Sequence, residues 1–286
     1  MIRVNEGFVG NQDIQVFIIS YNQYTFVKSM VEQLQSYTTN IYVIDNKSTY
    51  EPLIEYLKEI DGNKATVLWI RKTLPKKTSG RSMPYEFNEK VATPLCEIMG
   101  RNRSDKGHIN IQDVKHNYTT LYHSLFQDLR MQPIRIFELG LGTNNVHMPS
   151  SMGADGRPGA SLYGWAEYFP QAKVYGADID TAILFNTDRI KTFYCDQTNP
   201  HVIQYMWKEA ELQGEFDIIV EDGLHDFRAN VCFFENSIHK LALNGYYIIE
   251  DIIRDDIPNF MKTLDIWRER CPNMHFELVT IPCKIN

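Results

Sequence analysis

The chain has little cysteine, no excess of basic residues and no long apolar run. Its 286 residues include five cysteines, Cys96, Cys195, Cys232, Cys271 and Cys283, scattered and never in a CxxC pair. That spacing argues against a zinc ribbon or a disulfide framework and fits a reducing compartment. Lysine and arginine number 29 against 36 acids, for a net charge of -7, so neither a broad nucleic-acid surface nor an anionic-membrane surface is expected. The one basic cluster, Arg71, Lys72, Lys76, Lys77 and Arg81, lies with Pro75 and Gly80 and reads as solvated linker. The opening MIRVNEGFVGNQD lacks a basic segment followed by an apolar one, and no run approaches membrane-spanning length, so the cytosol is the expected address. No internal repeat or low-complexity tract is visible. What is present is an ordinary globular composition, 43% hydrophobic, long enough to bury a substantial core in one large or two small domains.

The most informative stretch is Phe216 to Asp251. Two short apolar runs, Asp217 to Val220 and Tyr246 to Ile249, each break off into acids, Glu221-Asp222 and Glu250-Asp251. Buried parallel strands end this way at a polar cleft. Between them Phe227, Val231, Phe234, Ile238 and Leu241 repeat at helical spacing, and Asn244-Gly245 supplies a stop. In open α/β sheets ligands sit beyond the carboxyl ends of the strands. Asp222, Glu250 and Asp251 are therefore expected to converge there, with His225 on the same loop as Asp222. Three hard oxygen ligands suit Mg²⁺ or Mn²⁺, and an imidazole beside them suits a general base. The plainer reading, acids serving as helix caps and solvated loop residues, stands beside it.

Toward the N-terminus, Val16 to Tyr21, Ile41 to Asp45 and Thr66 to Ile70 read as strands. Helix faces at Phe26, Met30, Leu34 and at Leu53, Leu57, Ile60 alternate with them, a βαβαβ half-sheet over residues 1–75. Residues 76–107, with Pro84, Pro94 and several Gly, Ser and Lys, are expected to connect it to a second domain, 108–286, though Pro84 to Met99 can hold a short helix. A helix is expected from Tyr118 to Leu129. Next come a strand at Ile134 to Glu138, the turn Leu139-Gly140-Leu141-Gly142-Thr143 and a polar loop from Asn144 to Gly159. A helix from Ser161 to Phe169 follows, then strands ending in Asp178 and in Asp196-Gln197, and a helix over 200–212.

The turn lets a ligand approach the backbone, yet no third glycine completes a GxGxxG and no helix starts directly on it. A ligand without phosphates does not need that helix N-terminus. S-adenosylmethionine is one: a strand-end carboxylate can take both ribose hydroxyls, and its ammonium and sulfonium favour acidic surroundings.

Two resemblances follow from these motifs. VFIISYNQ followed by IYVIDNKST resembles the opening of a family-2 type glycosyltransferase, in which Asp45 would face the nucleoside; no Asp-x-Asp follows within residues 71–115. The second rests on DKG (105–107), HNYTTLY (116–122), FELGLG (137–142), GASLYGW (159–165), YFPQAKVYGADID (168–180), CDQ (195–197), VEDGLHD (220–226) and LNGYYIIED (243–251). Together they resemble the metal-dependent sugar O-methyltransferases of the macrocin and mycinamicin type, and more loosely the cephalosporin hydroxylase-like group. Leu224 departs from the family, which usually has Ser in that loop. The resemblance implies a Rossmann-like class I methyltransferase sheet, with Asp222, Glu250 and Asp251 as Mg²⁺ ligands and His225 as general base. Glu138, Gly140, Gly142 and Ser161 would line the methionine end of the cofactor. Asp178, with Asp180 as its rival, would hold the ribose, and Asp196 and Gln197 would take the adenine side. Tyr118 and Tyr122 would close over the cofactor or simply pack. A sugar or glycan acceptor and a homo-oligomer are implied; a glycosyltransferase and a non-catalytic cofactor-binding module remain the alternatives.

Overall fold

The structure is a computed structural model that describes residues 16–20, 41–45, 64–72, 92–107, 114–282 and 284–285. The chain divides into two compact units, Met1–Asn63 and Lys64–Asn286. In the first, β1 (Val16–Ser20) and β2 (Ile41–Asp45) pair in parallel, as the apolar runs predict. The helices expected between and after them, and the side chain of Asp45, lie outside the described residues.

The third strand expected in that half-sheet is in the other unit. β3 (Lys64–Lys72) pairs antiparallel with β9 (Leu241–Ile252) on one side and with β10 (Met274–Pro282) on the other. An apolar β-branched run specifies a buried strand but not its partner, so the sequence pattern could not distinguish the two sheets.

The larger unit carries a short strand, β4 (Val114–Lys115), and a seven-stranded sheet that runs from one edge to the other as β10, β3, β9, Phe216–Glu221 (β8), Arg135–Leu139 (β5), Lys173–Asp178 (β6) and Ile190–Tyr194 (β7). The parallel part of that sheet consists of β5, β6, β7, β8 and β9. β5 runs between β6 and β8, so the chain order reverses beside it; such a switch point opens a crevice at the carboxyl edge. Register sets the level of each acid. Leu139 pairs with Glu221 and Glu221 with Ile249, which brings Asp222 and Glu250 to the same height on adjacent strands.

Part of the stretch expected to link two domains is core. Helix α1 (Pro94–Asn102) starts with Pro at its first turn, and Thr93 caps it through Oγ1 to the Cys96 amide at 3.2 Å. Leu95, Cys96, Ile98 and Met99 are buried, and Met99 packs on Gly164, where a Cβ would collide with it. Helices α2 (Tyr118–Phe126), α3 (Ala160–Tyr168) and α5 (Phe227–Ser237) lie close to their expected positions, whereas α4 (Pro200–Met206) stops well short of the helix expected over 200–212, and Ala210–Leu212 is a separate 3-10 turn. The α5 segment ends earlier than its periodicity predicts: Ile238–Lys240 tightens to a 3-10 turn, and Leu241 already belongs to β9. α6 (Ile257–Arg270) leads into β10 and buries Phe260, Leu264 and Trp267. Among the described residues no helix is long and apolar enough to cross a membrane.

Without β3, one edge of β9 would expose a row of unpaired backbone groups beside buried Tyr247 and Ile249. A chain beginning at Lys64 is expected to give a cooperative thermal transition, whereas one beginning at Thr73 should aggregate or melt without cooperativity. Calorimetry and size-exclusion chromatography compare the two.

Candidate active site

The site is built on close backbone approach. Gly140 has φ +91°, and a Cβ there would collide with the carbonyl oxygen of Asp222. The turn is stitched on both flanks, by Asp222 N to Leu139 O at 2.9 Å and Gly140 N to Ala177 O at 2.8 Å. Glycine is thus needed at 140 so that the ends of β5 and β8 can touch. At Gly142 (φ +73°) the neighbour is Met152 of the following loop, whose side chain lies where a Cβ would be. Beyond these strand ends lies a cavity of about 570 Å³, whose walls include Glu138, Gly140, Gly142, Ser161, Asp178, Asp196, Gln197, Asp222, His225 and Asp251.

Most of the expected cofactor residues therefore share one cavity, and several also hold its walls in place. Asp178 accepts Leu141 N at 2.7 Å and Asp180 N at 2.8 Å. Asp180 is not among the lining residues; it caps the turn at Thr181–Ile183 and accepts Thr143 Oγ1 at 2.6 Å. Glu138 is buried and accepts from Ser161 Oγ and Trp165 Nε1. Gln197 accepts Leu224 N at 2.7 Å and donates to Glu221 at 3.0 Å, bracing the loop that carries His225. Asp196 caps its own turn through Thr198.

Tyr118 is placed differently from the expectation. It is buried, is not among the residues lining the cavity, and donates its hydroxyl to Asp251; Tyr122, one turn on, donates to Glu250 at 2.5 Å. One face of α2 thus presents two phenols to the acids that close β9. The i, i+4 spacing set their direction, but their partners were not readable from the sequence.

The acids divide into an outer and an inner set. Asp222, His225 and Asp251 each offer a ligand atom, all within 4.8 Å of one another. His225 Nε2 lies 3.1 Å from Asp222 Oδ1 and 3.8 Å from Asp251 Oδ2, and His116 Nδ1 lies 3.5 Å from the other Asp251 oxygen. His225 (φ +57°), on the braced loop, and Asp251 (φ +48°), near the end of β9, both hold left-handed backbone, a strain on the order of 1–3 kcal/mol each. Glu250, expected beside Asp222 and Asp251 as a ligand, is instead turned inward. It is buried and bonded to Tyr122 and, at 2.7 Å, to Lys106 Nζ. The register delivers Glu250 to the right height, but the buried lysine claims it.

Lys106 is the residue the sequence reading missed. Its ammonium is buried against Asp222, Glu250 and, at 3.6 Å, Glu138. The DKG motif marked its position. Nothing in the motif signalled burial, because lysines are almost never buried unless paired.

Burial opposes the charged form of Lys106, but Asp222, Glu138 and Glu250 outweigh it and hold the ammonium firmly protonated. Burial also opposes ionised Asp222; there Lys106 and His225 win and keep its carboxyl well below the usual range. Burial, then Asp222, pushes Glu250 the other way, toward the protonated form. His225 is raised to about 9, since Asp222 and Asp251 outweigh its burial. Burial lifts Glu221 to about 7, opposed by hydrogen bonds from Asn230 and Gln197.

The sheet order and its switch-point cavity define a Rossmann-like α/β fold with a ligand cavity at the carboxyl edge of its parallel strands. Comparison with known proteins narrows this to particular relatives. No family model matches the chain. It is 28% identical over 198 residues to the 8-demethyl-8-(2-methoxy-alpha-L-rhamnosyl)-tetracenomycin-C 3'-O-methyltransferase of Streptomyces olivaceus, covering 66% of this chain and 47% of that protein. It is 31% identical over 146 residues to the mycinamicin VI 2''-O-methyltransferase of Micromonospora griseorubida, covering 51% and 34%. A solved structure of MycE methyltransferase in complex with Mg, SAH and mycinamycin VI aligns with a TM-score of 0.47 at 27% identity, over 59% of this chain and 39% of that one. The chain spans less than half the length of these curated relatives.

Gly140→Ala should cost on the order of 3 kcal/mol or more, from the collision with Asp222 and the positive φ; urea denaturation measures it. Glu221 supplies a pH signature. Between its ordinary value of 4.5 and about 7 the folded state binds more protons than the unfolded one, so stability falls as pH rises through that window. Glu221→Gln should flatten that fall by on the order of 3 kcal/mol, seen in Tm measured from pH 4.5 to 8.

Proposed function

We propose that the larger unit is a divalent-metal-dependent O-methyltransferase that moves a methyl group from S-adenosylmethionine to a hydroxyl of a sugar-bearing acceptor. The observation that carries this reading is the meeting of Asp222, His225 and Asp251 at one end of the cavity that begins at the Gly140–Gly142 turn. The relatives support it, since the two compared above are named as O-methyltransferases and one name specifies a rhamnosyl compound. A cytosolic homo-oligomer acting on neither nucleic acid nor membrane belongs to the same proposal.

The donor set fits a small divalent cation: two carboxylates with an imidazole beside them, and Glu250 behind as a third acid. Such a cation would hold the acceptor oxygens, lower the pKa of the hydroxyl and oppose the imidazolium form of His225, which the acids alone hold up to about 9. The chain's own residues then divide the work. Asp178 and Asp196 face the nucleoside end, and Glu138 and Ser161 the methionine end. His225 Nε2, the ring nitrogen turned toward Asp222 and Asp251, takes the proton as the hydroxyl oxygen bonds to the methyl carbon. The carbon–sulfur bond breaks in the same displacement, leaving S-adenosylhomocysteine.

Asp222→Asn and His225→Gln are each expected to lower methyl transfer at least about 100-fold, and in His225→Gln the S-adenosylhomocysteine affinity stays within about threefold, because that side chain is not assigned to the cofactor. Chelation should abolish turnover, and Mg²⁺ or Mn²⁺ should restore it. Rates near wild type in either variant, or a thermal shift with nucleotide sugars and none with S-adenosylhomocysteine, would defeat the assignment.

A further inference from the structure

The DKG segment has no part in the reaction just described, yet it supplies the ammonium at the centre of the acids. Lys106 is 2% exposed, and its Nζ meets carboxylates from three adjacent strands: Glu138 on β5, Asp222 after β8 and Glu250 on β9. Each of these acids has its remaining contacts on a different side. Glu138 continues to Ser161 and Trp165 at the cofactor end. Asp222 turns its other oxygen to His225 at the proposed metal end, and Glu250 turns its own to Tyr122. Among the described residues Lys106 is the group that touches all three. Its position is fixed from the backbone, since the Lys106 carbonyl accepts the Tyr118 and Thr119 amides at 3.0 and 3.3 Å and so starts α2, the helix that also aims the two phenols.

We infer that Lys106 is a positioning residue that couples occupancy of the cofactor end to occupancy of the divalent-cation end, through the carboxylates it shares between them. The inference rests on the methyl-transfer reading above. An ammonium has three N–H groups and one charge to distribute. A cation drawn to Asp222 and Asp251 repels that charge and competes for Asp222, which shifts the lysine's hold toward Glu138 and Glu250. The field and orientation of Glu138 change as a result, and with them the affinity for a ligand at the methionine end. Linkage makes the effect reciprocal.

The test is titration calorimetry of S-adenosylhomocysteine with and without Mn²⁺, and of Mn²⁺ with and without S-adenosylhomocysteine, on the full chain. In wild type the two affinities are expected to differ at least about fivefold between the paired conditions, by the same factor in both directions. Lys106→Met should bring that ratio to within twofold, and Lys106→Arg, which keeps charge and donors, should restore part of it. Glu138→Gln leaves the lysine in place but cuts the arm toward the cofactor, so it should also lose the coupling, and it carries the test if Lys106→Met does not fold. Undiminished coupling in the folded neutral variants, or two wild-type affinities independent of each other, overturns the inference while leaving the methyltransferase reading intact. Failure of wild type to bind S-adenosylhomocysteine at all overturns both.

Discussion

The site depends on backbone touching backbone where β5 and β8 end. Gly140 lets the turn lie directly on the Asp222 carbonyl, and the Leu139 carbonyl receives the Asp222 amide. That contact sets the height of Asp222, and the β8–β9 register then sets Glu250 and Asp251 beside it. Acids placed this closely would repel one another, and the fold answers with one ammonium and two phenols, all delivered by the segment that enters and forms α2. The cavity's chemistry is thus a consequence of strand register, and its tolerance of so much negative charge a consequence of one buried lysine and the helix that follows it.

The two sets of acids have different electrostatic characters. Asp222 is held ionised by cations on both sides, whereas Glu250 and Glu221 are pushed toward neutrality by burial. A site built this way presents charge only where a cation can reach it and keeps its deeper carboxyls as hydrogen-bonding struts. Glu221 illustrates the second role: it accepts from Asn230 of α5 and from Gln197 of the neighbouring loop, and Gln197 in turn accepts the Leu224 amide beside His225.

Much of this was legible in the sequence because it follows from period and punctuation. Apolar runs ending in acids gave β5 to β9 and their order along the chain, and the glycine turn gave the place where a ligand could approach. Three features were not legible. β3 reads as a buried strand in any sheet, so its partner could be found only in three dimensions. Lys106 carries no periodic or spacing signal, because burial of a lysine depends on which acids surround it. For Tyr118 both closing over the cofactor and simple packing were open, because helical spacing gives a face but not what that face meets; its hydroxyl goes to Asp251.

The placement of β3 bears on how the chain is made. Ile70 pairs with Tyr247, and the same strand pairs along its other edge with residues beyond Met274. A strand in the interior of the sheet is therefore synthesised before both of its neighbours and must remain without them until β9 and β10 have emerged from the ribosome. Contacts of such long sequence separation close slowly. Until they do, an apolar β-forming segment is exposed to other chains, which makes this strand the point at which chaperone demand and misassembly during synthesis should concentrate.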